Sequence, residues 1–401
     1  MQALLKNKNL YGVITLLIVQ KYGGSSVADK ERIFNAASKI AASYDSGNNV
    51  VVIVSAQGNT TDMLIETANN IIIDAPKREL DMLLSTGEQQ SAALMSMALI
   101  SLGYKAISLN AWQAEIFTTD DYGNARITGI NTERIKHELS LGKIVIISGF
   151  QGINNSMDIT TLGRGGSDTT AVAIAAALKA DKCEIYTDVN GIYTADPRIV
   201  PNAVLLESID YNVMLNYSSL GAKVLHNRSV ELAKNTGIDI SVKSSFSDNP
   251  GTLVTDCSEI NSKPISGITA EKLQAYITIS NLNDVYSLLR LLSTNKTIID
   301  MVSISDKCIS FSAKQSEIES ILNKVKSNEQ IKTEVQTDLA KISIVGTSLH
   351  TKPEVVIKIV EVLKANNINF TAISLSETKL CILVDESKCT DAINLLHKKL
   401  I

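Results

Sequence analysis

Within the first 245 residues, short runs rich in β-branched residues and largely apolar on both faces recur: Ile14–Gln20, Val50–Ser55, Ala106–Leu109, Ile144–Ser148, Glu184–Thr187 and Ile238–Val242. A strand wetted on one side alternates apolar and polar residues. These runs do not, so each must be covered on both faces, as strands of parallel sheets are. Helical patterns lie between them, at 29–44, 62–70, 78–102, 131–139, 167–179 and 229–235. The alternation predicts an open, mainly parallel sheet sandwiched between helices, an α/β fold whose ligands sit at the carboxyl ends of the strands.

The texture changes after residue 245. Residues 246–266 are rich in Ser, Asn, Asp and Pro and read as a linker. Beyond them a β-α-β-β-α series occurs twice, with Thr297-Ile298-Ile299-Asp300 and Asn367-Ile368-Asn369-Phe370 at matching places. This predicts two ferredoxin-like βαββαβ units, at 267–335 and 336–401. Residues 1–12 read as an extension ahead of a domain at 13–245.

Composition excludes several classes of function. The chain has 401 residues and a formal net charge of −4, with no basic stripe and few aromatics, so no nucleic-acid partner is expected. Five cysteines without a CxxC pair and four scattered histidines give neither a metal centre nor a disulfide framework, and point to a reducing cytoplasm. No apolar run approaches the ~20 residues of a membrane span. The run at 11–19 is too short for a signal peptide and lacks a cleavage site.

The chemistry concentrates in loops. Gly163-Arg164-Gly165-Gly166-Ser167-Asp168 runs into an Ala-rich helix. It combines free backbone N–H groups, a cation and a helix N-terminus, which suit an anion. A second polar turn follows the next strand and brings Thr187, Asp188, Tyr193, Asp196 and Arg198. Lys21-Tyr22-Gly23-Gly24 ends the first strand; its glycines let the backbone approach a ligand and its lysine offers a point charge. Taken alone it reads equally as a plain strand–helix turn. Ser55 opens another strand–helix junction that holds Asn59, Thr60, Thr61 and Asp62, which alone reads as an ordinary helix cap. Glu88 stands in an otherwise apolar helical stretch beside Gly87, and Lys223 is a lone cation among apolar residues; each has a surface residue as its bland reading.

KYGGSSV, VSAQGNTTD, LSTGEQQSAAL, TLGRGGSD, TDVNGIYTADPR and GAKVLH, in this order, closely resemble the aspartokinases of the amino-acid kinase superfamily. The tandem repeat resembles the paired ACT domains that regulate them. The resemblance implies an amino-acid kinase fold followed by two ACT domains. It implies transfer of a phosphoryl group from ATP, with Mg²⁺, to the β-carboxylate of L-aspartate. It assigns catalysis to Lys21, Asp168 and Lys223. The nucleotide goes to Lys21, Tyr22, Gly23, Gly24, Ser55, Ser167, Thr187, Asp188, Tyr193, Asp196, Arg198 and Lys223. Aspartate goes to Asn59, Thr60, Thr61, Asp62, Glu88, Arg164, Gly165, Gly166 and Ser167. It further implies a homodimer through the ACT domains or a dimer of dimers, and an end-product effector, lysine first and threonine second. Asn283, Asp284, Ser376 and Glu377 are the expected effector contacts. No protein-held metal is expected.

Departures bear on regulation more than on catalysis. Asn227 follows His226 where relatives usually have Pro, and neither repeat carries the usual Pro-Gly turn of an effector site. A catalytically dead amino-acid sensor of the same fold would show damage at its charged positions, yet Lys21, Arg164, Asp168 and Lys223 are intact. A kinase acting on glutamate or N-acetylglutamate is the other alternative. Glu88 with Arg164 argues for a free α-amino acid.

Overall fold

The computed structural model describes residues 15–219, 224–256, 265–282, 284–294, 297–325 and 331–401, and all counts below refer to these. In chain order the first 256 residues supply β1 (Leu17–Tyr22), α1 (Lys30–Asp45), β2 (Asn49–Val54), α2 (Thr60–Ile71), α3 (Lys77–Ser101) and β3 (Ala106–Leu109). Next come β4 (Ile116–Thr118), β5 (Ile127–Ile130), α4 (Glu133–Ser140), β6 (Ile144–Ser148), β7 (Gln151–Ile153), β8 (Ile159–Thr161) and α5 (Gly166–Leu178). Then follow β9 (Lys182–Thr187), β10 (Ser208–Asp210), α6 (Tyr211–Ser219), α7 (Asn227–Thr236), β11 (Ile240–Ser244) and β12 (Thr252–Thr255).

Eight of these strands form one sheet in the order β10-β12-β11-β9-β1-β2-β6-β3. From β11 to β3 all neighbours are parallel, whereas β12 runs antiparallel to β11. Strands β2 and β6 are apolar along nearly their whole length because both of their faces are covered. Val50, Val52 and Val54 of β2 and Ile144 and Ile146 of β6 pack with Ala36 and Ile40 of α1 and Ala92 and Met95 of α3. Helix α5 covers the other face, where Ile53 approaches the start of that helix. Strand β1 lies centrally and pairs with β2 and β9, so Lys21 is flanked by Ile53 and Ile185. A second sheet, β5-β4-β7-β8, has three three-residue strands and is tied to α3 by the buried Asp81. The expectation of a linker over 246–266 is corrected in part: Thr252–Thr255 is β12, a strand of the main sheet. Its buried Thr252 and Val254 satisfy strand alternation, which the surrounding Ser, Asn and Pro obscure in the sequence.

The C-terminal unit contains β13 (Ile265–Ser280), α8 (Val285–Thr294), β14 (Asp300–Ser305), β15 (Cys308–Lys314), α9 (Ile318–Val325), β16 (Lys332–Gly346), α10 (Pro353–Ala365), β17 (Phe370–Leu375), β18 (Lys379–Asp385) and α11 (Cys389–Leu400). Its antiparallel sheet runs β14-β15-β13-β16-β18-β17. The two βαββαβ halves are nested rather than consecutive. Strands β13 and β16 are long and serve both: residues 265–271 pair with 341–346, and residues 274–280 pair with 332–339. Register shifts separate the two stretches, and Leu273 and Asp338 there have φ of 57° and 56°. A boundary at 335/336 therefore falls inside a continuous strand. Each half keeps its own core, one around Ile277, Leu288, Phe311 and Ile321, the other around Ile342, Ile359, Ile382 and Leu396. Residues 193–204 and 216–219 also belong to this unit.

Candidate active site

The loops that follow β1, β2 and β6 and the start of α5 converge at the carboxyl edge of the parallel strands, beside the central strand, as an open α/β sheet requires. Glycines make the convergence possible. A Cβ on Gly24 would lie 2.6 Å from the Ala56 carbonyl oxygen, and one on Gly149 would lie 2.8 Å from Ser167. Gly58 N–H donates to Gly24 O at 3.0 Å and Gly23 N–H to Tyr186 O at 3.2 Å, so the loop after β1 is held on both sides. The first turn of α5 presents N–H groups that have no intrahelical partner, and its N-cap Gly165 has φ 69° and no side-chain cap. An anion is the natural ligand of such a cradle.

Lys21 points into this cradle. Its Nζ lies 2.7 Å from Asp168 Oδ1, and both side chains are only 11% exposed. Ser167, the residue before Asp168, is buried beside them. Strand alternation sends the next residue the other way. Tyr22 is fully buried and stacks on Tyr186 with ring centroids 4.7 Å apart. The Tyr22 ring therefore belongs to the core, and what it presents at the site is its backbone.

Glu88 is the most informative side chain. It lies in the middle of α3, buried, with Oε1 accepting the Ala56 N–H at 3.0 Å. Gly87 permits this approach, because a Cβ there would be 2.9 Å from Ala56 Cβ. Oε2 is buried and has no hydrogen-bond partner among the described residues. Burial pushes its carboxyl up to about 7, against the Ala56 hydrogen bond and the nearby Lys21 charge, which lower it. A buried acceptor left open in a ligand site calls for a donor, and a cation supplies one best.

Arg164 lies between Gly163 and Gly165, whose φ values are 75° and 69°. It is exposed and makes no hydrogen bond or ion pair among the described residues, so its guanidinium is available to a ligand. Its loop is fixed by residues that sequence reasoning missed. Asp81 accepts from Gly123 N–H, Thr161 N–H and Thr161 Oγ1 at 2.9, 2.8 and 2.6 Å. Arg228 donates to Leu162 O and Asn124 Oδ1 at 2.9 and 2.6 Å. His226 packs so tightly on Gly165 that a Cβ there would be 2.2 Å away. A sequence cue to Asp81 existed: it stands seven residues before Glu88 and so lies on the same face of α3. Around the loop after β2, Asn59 is the N-cap of α2 without a side-chain cap bond, Thr60 and Thr61 are half-buried, and Asp62 is exposed. None of them makes the capping bond that the plain reading predicts.

The remaining nucleotide candidates divide. Ser55 follows β2 and Thr187 ends β9 in the first unit, and Thr187 Oγ1 donates to Asp188 Oδ1 at 3.1 Å. Tyr193, Asp196 and Arg198 belong to the second unit, where Arg198 Nη2 pairs with Asp196 Oδ2 at 2.7 Å. Lys223 and Asn283 lie outside the described residues.

The sequence pattern of the Amino acid kinase family matches residues 17–244, and that of an ACT domain matches residues 342–400. The aspartokinase of Bacillus sp. (strain MGA3) is 44% identical over 95% of this chain and 96% of its own length. Aspartokinase 2 of Bacillus subtilis (strain 168) is 45% identical over 95% of this chain and 97% of its own. The chain belongs to the aspartokinases. The aspartate kinase of Clostridium acetobutylicum, an allosteric enzyme, superposes with a TM-score of 0.79 at 25% identity, covering 96% of this chain and all of that one.

The described effector candidates lie in the C-terminal unit. Asp284 is occupied as a helix cap: it accepts from Tyr286 N–H, Ser287 N–H and Ser287 Oγ at 2.9, 3.2 and 2.5 Å. Ser376 closes the β17–β18 turn with Lys379, and Glu377 O accepts the Leu349 N–H at 2.8 Å. Among the described residues no hydrogen bond or ion pair links Asp284 to that turn. No helix among the described residues is long and apolar enough to cross a membrane.

Proposed function

We propose that the chain transfers the γ-phosphoryl group of ATP to the β-carboxylate of L-aspartate, giving 4-phospho-L-aspartate, the first step toward lysine, threonine and methionine. The observation that carries the amino-acid half of this reading is Glu88. Its open Oε2 is suited to the α-ammonium of a free amino acid, and the free guanidinium of Arg164 is suited to the α-carboxylate as a bidentate fork. Asn59, Thr60, Thr61 and Asp62 would close over the same ligand, with Gly165 and Gly166 as its floor.

No general base is required. The β-carboxylate of aspartate, with a pKa of about 3.9, is already ionised at neutral pH. The difficulty is bringing two anions together while charge spreads over the transferring group. One carboxylate oxygen forms the new O–P bond as the bond to the ADP leaving oxygen breaks. Lys21, held by Asp168, and the backbone N–H groups after β1 and at the start of α5 stabilise that charge without reorganising. Thr187, Asp188, Tyr193, Asp196, Arg198 and Lys223 would hold the rest of the nucleotide. The described residues contain no cluster of three or more His, Cys, Asp or Glu suited to a metal. The Mg²⁺ implied by family resemblance would ride on the nucleotide phosphates and neutralise their charge. The C-terminal unit would pair with that of a second copy and bind an end product, lysine first and threonine second.

Lys21→Ala tests the assignment. Aspartate-dependent ADP release should fall about 10²–10³-fold with the fold intact, the usual loss for one preorganised donor. Turnover within a few-fold of the parent would refute it.

A further inference from the structure

Helix α3 carries more than Glu88. Asp81, Ser85 and Glu88 lie on one face of it, and all three are buried. The first two tie the helix to the small sheet. Ser85 O accepts from Gln151 Nε2 at 2.9 Å, and Asp81 takes both the N–H and the hydroxyl of Thr161. Gln151 and Thr161 are cross-strand partners in β7 and β8, so the two ties engage one rung of that sheet. Asp81 Oδ2 also accepts the Gly123 N–H at 2.9 Å, which fastens the loop between β4 and β5 to the same helix. That loop backs the residues beside Arg164: a Cβ on Gly163 would lie 3.1 Å from Gly123 O and 3.3 Å from Asn124 Oδ1. Arg228, in the first turn of α7, closes the other side. Its Nη1 donates to Leu162 O at 2.9 Å and its Nη2 to Asn124 Oδ1 at 2.6 Å. All of these residues belong to the first unit.

We propose that Asp81 and Arg228 are positioning residues for the amino-acid substrate: they hold Arg164 at a fixed distance from Glu88, and so set affinity for aspartate and not for ATP. The inference rests on the assignment of Glu88 to the α-ammonium and of Arg164 to the α-carboxylate given above. An α-amino acid presents those two groups at one spacing, so their receptors must keep theirs. Glu88 is fixed by the helix that bears it. Arg164 stands on a loop between two glycines with positive φ and makes no hydrogen bond or ion pair among the described residues. Its place is therefore set by what grips its neighbours. Neither Asp81 nor Arg228 is free to bind substrate. Asp81 is 1% exposed with both oxygens occupied, and both terminal nitrogens of Arg228 are engaged by the loops. The α-carboxylate is not the reacting group, so its contact is the same before and during phosphoryl transfer. Loosening that contact appears in KM and not in kcat. The phosphate cradle is held separately, by the Lys21–Asp168 pair and by the Gly23 N–H on Tyr186 O.

Full-length Asp81→Ala, Asp81→Asn and Arg228→Met, assayed with aspartate and MgATP varied separately, test this, with Arg164→Ala as the reference. Asp81→Ala and Arg228→Met should each raise KM for aspartate about three- to tenfold, a part of the roughly 10- to 150-fold that a charged hydrogen bond is worth. KM for ATP and kcat should stay within about twofold of the parent. Asp81→Asn should restore KM for aspartate to within about twofold, because its oxygen can accept both N–H groups while its amide donates to Thr161 Oγ1. In an Arg164→Ala background, Arg228→Met should add less than about twofold, since it acts only through the side chain already removed. If Asp81→Ala does not fold, the half-buried Arg228 carries the test. If Arg164→Ala raises KM for aspartate while Asp81→Ala and Arg228→Met do not, the positioning role is overturned and the aspartate assignment stands. If none of the three moves it, the assignment fails and the proposal with it. An effect of Arg228→Met that persists in full without Arg164 would also overturn the proposal. So would a parallel fall of kcat and melting temperature that leaves KM for aspartate unchanged.

Discussion

Glu88→Gln should make the protein more stable and a worse enzyme at once. Burial raises the Glu88 carboxyl from its ordinary value of 4.5 to about 7. The folded chain therefore binds this proton more tightly than the unfolded chain does. The sign follows from linkage. Stability is unaffected below the unfolded value, falls as pH rises between the two values, and carries the full penalty above the folded value. The shift of 4.5 to about 7 corresponds to roughly 3 kcal/mol at pH 8. Glutamine keeps an oxygen to accept the Ala56 N–H and carries no charge, so it removes that penalty. Its melting temperature, measured without substrate, should exceed the parent's at pH 8, and the gap should close toward pH 4.5. The same change removes the partner of the α-ammonium, a charged hydrogen bond worth about 1.5–3 kcal/mol, so KM for aspartate should rise about 10- to 150-fold. KM for ATP should change little. Parallel stability curves from pH 4.5 to 8, or an unchanged KM for aspartate, would refute the reasoning.

Two further substitutions probe the two halves of the site. Arg164→Ala should raise KM for aspartate at least tenfold and leave stability unchanged, since the side chain is exposed and unpaired among the described residues; a defect mainly in ATP affinity, seen by titrating the substrates separately, would oppose it. Gly149→Ala should abolish most turnover, because the added methyl would press on Ser167 at 2.8 Å and Ile53 at 2.9 Å and displace the start of α5; thermal melting would show a loss of about 1–3 kcal/mol, the usual cost of overpacking.

The sequence made the catalytic sheet readable because its strands are buried on both sides. Val50–Val54 and Ile144–Ile147 admit no other reading, and the observed strands start within a few residues of the expected ones. The small sheet of β4, β5, β7 and β8 was not legible: strands of three or four residues show no period, and the tie of β8 to α3 runs through one buried carboxylate, Asp81, contributed by a distant helix. The nested C-terminal halves were hidden for a related reason. Both halves have the expected order of elements, but a strand long enough to serve two of them looks like two strands with a polar stretch between. Lys21, Asp168, Glu88 and Arg164 were found from motifs; their roles separate only in three dimensions, where one pair is closed, one acid is left open and one arginine is free. That the Tyr22 ring would turn into the core was not legible, because a motif names neighbours along the chain, whereas a strand sends neighbours to opposite faces.

The central claim is that aspartate accepts phosphate on its β-carboxylate. An acyl phosphate is captured by hydroxylamine as a hydroxamate, whereas idle ATP hydrolysis leaves none. With ATP, Mg²⁺ and hydroxylamine present, purified full-length protein should form ADP and β-aspartyl hydroxamate one for one with aspartate, and neither above background with glutamate or N-acetylglutamate. ADP release that does not depend on aspartate, or hydroxamate formed from another acceptor in preference, would contradict the account.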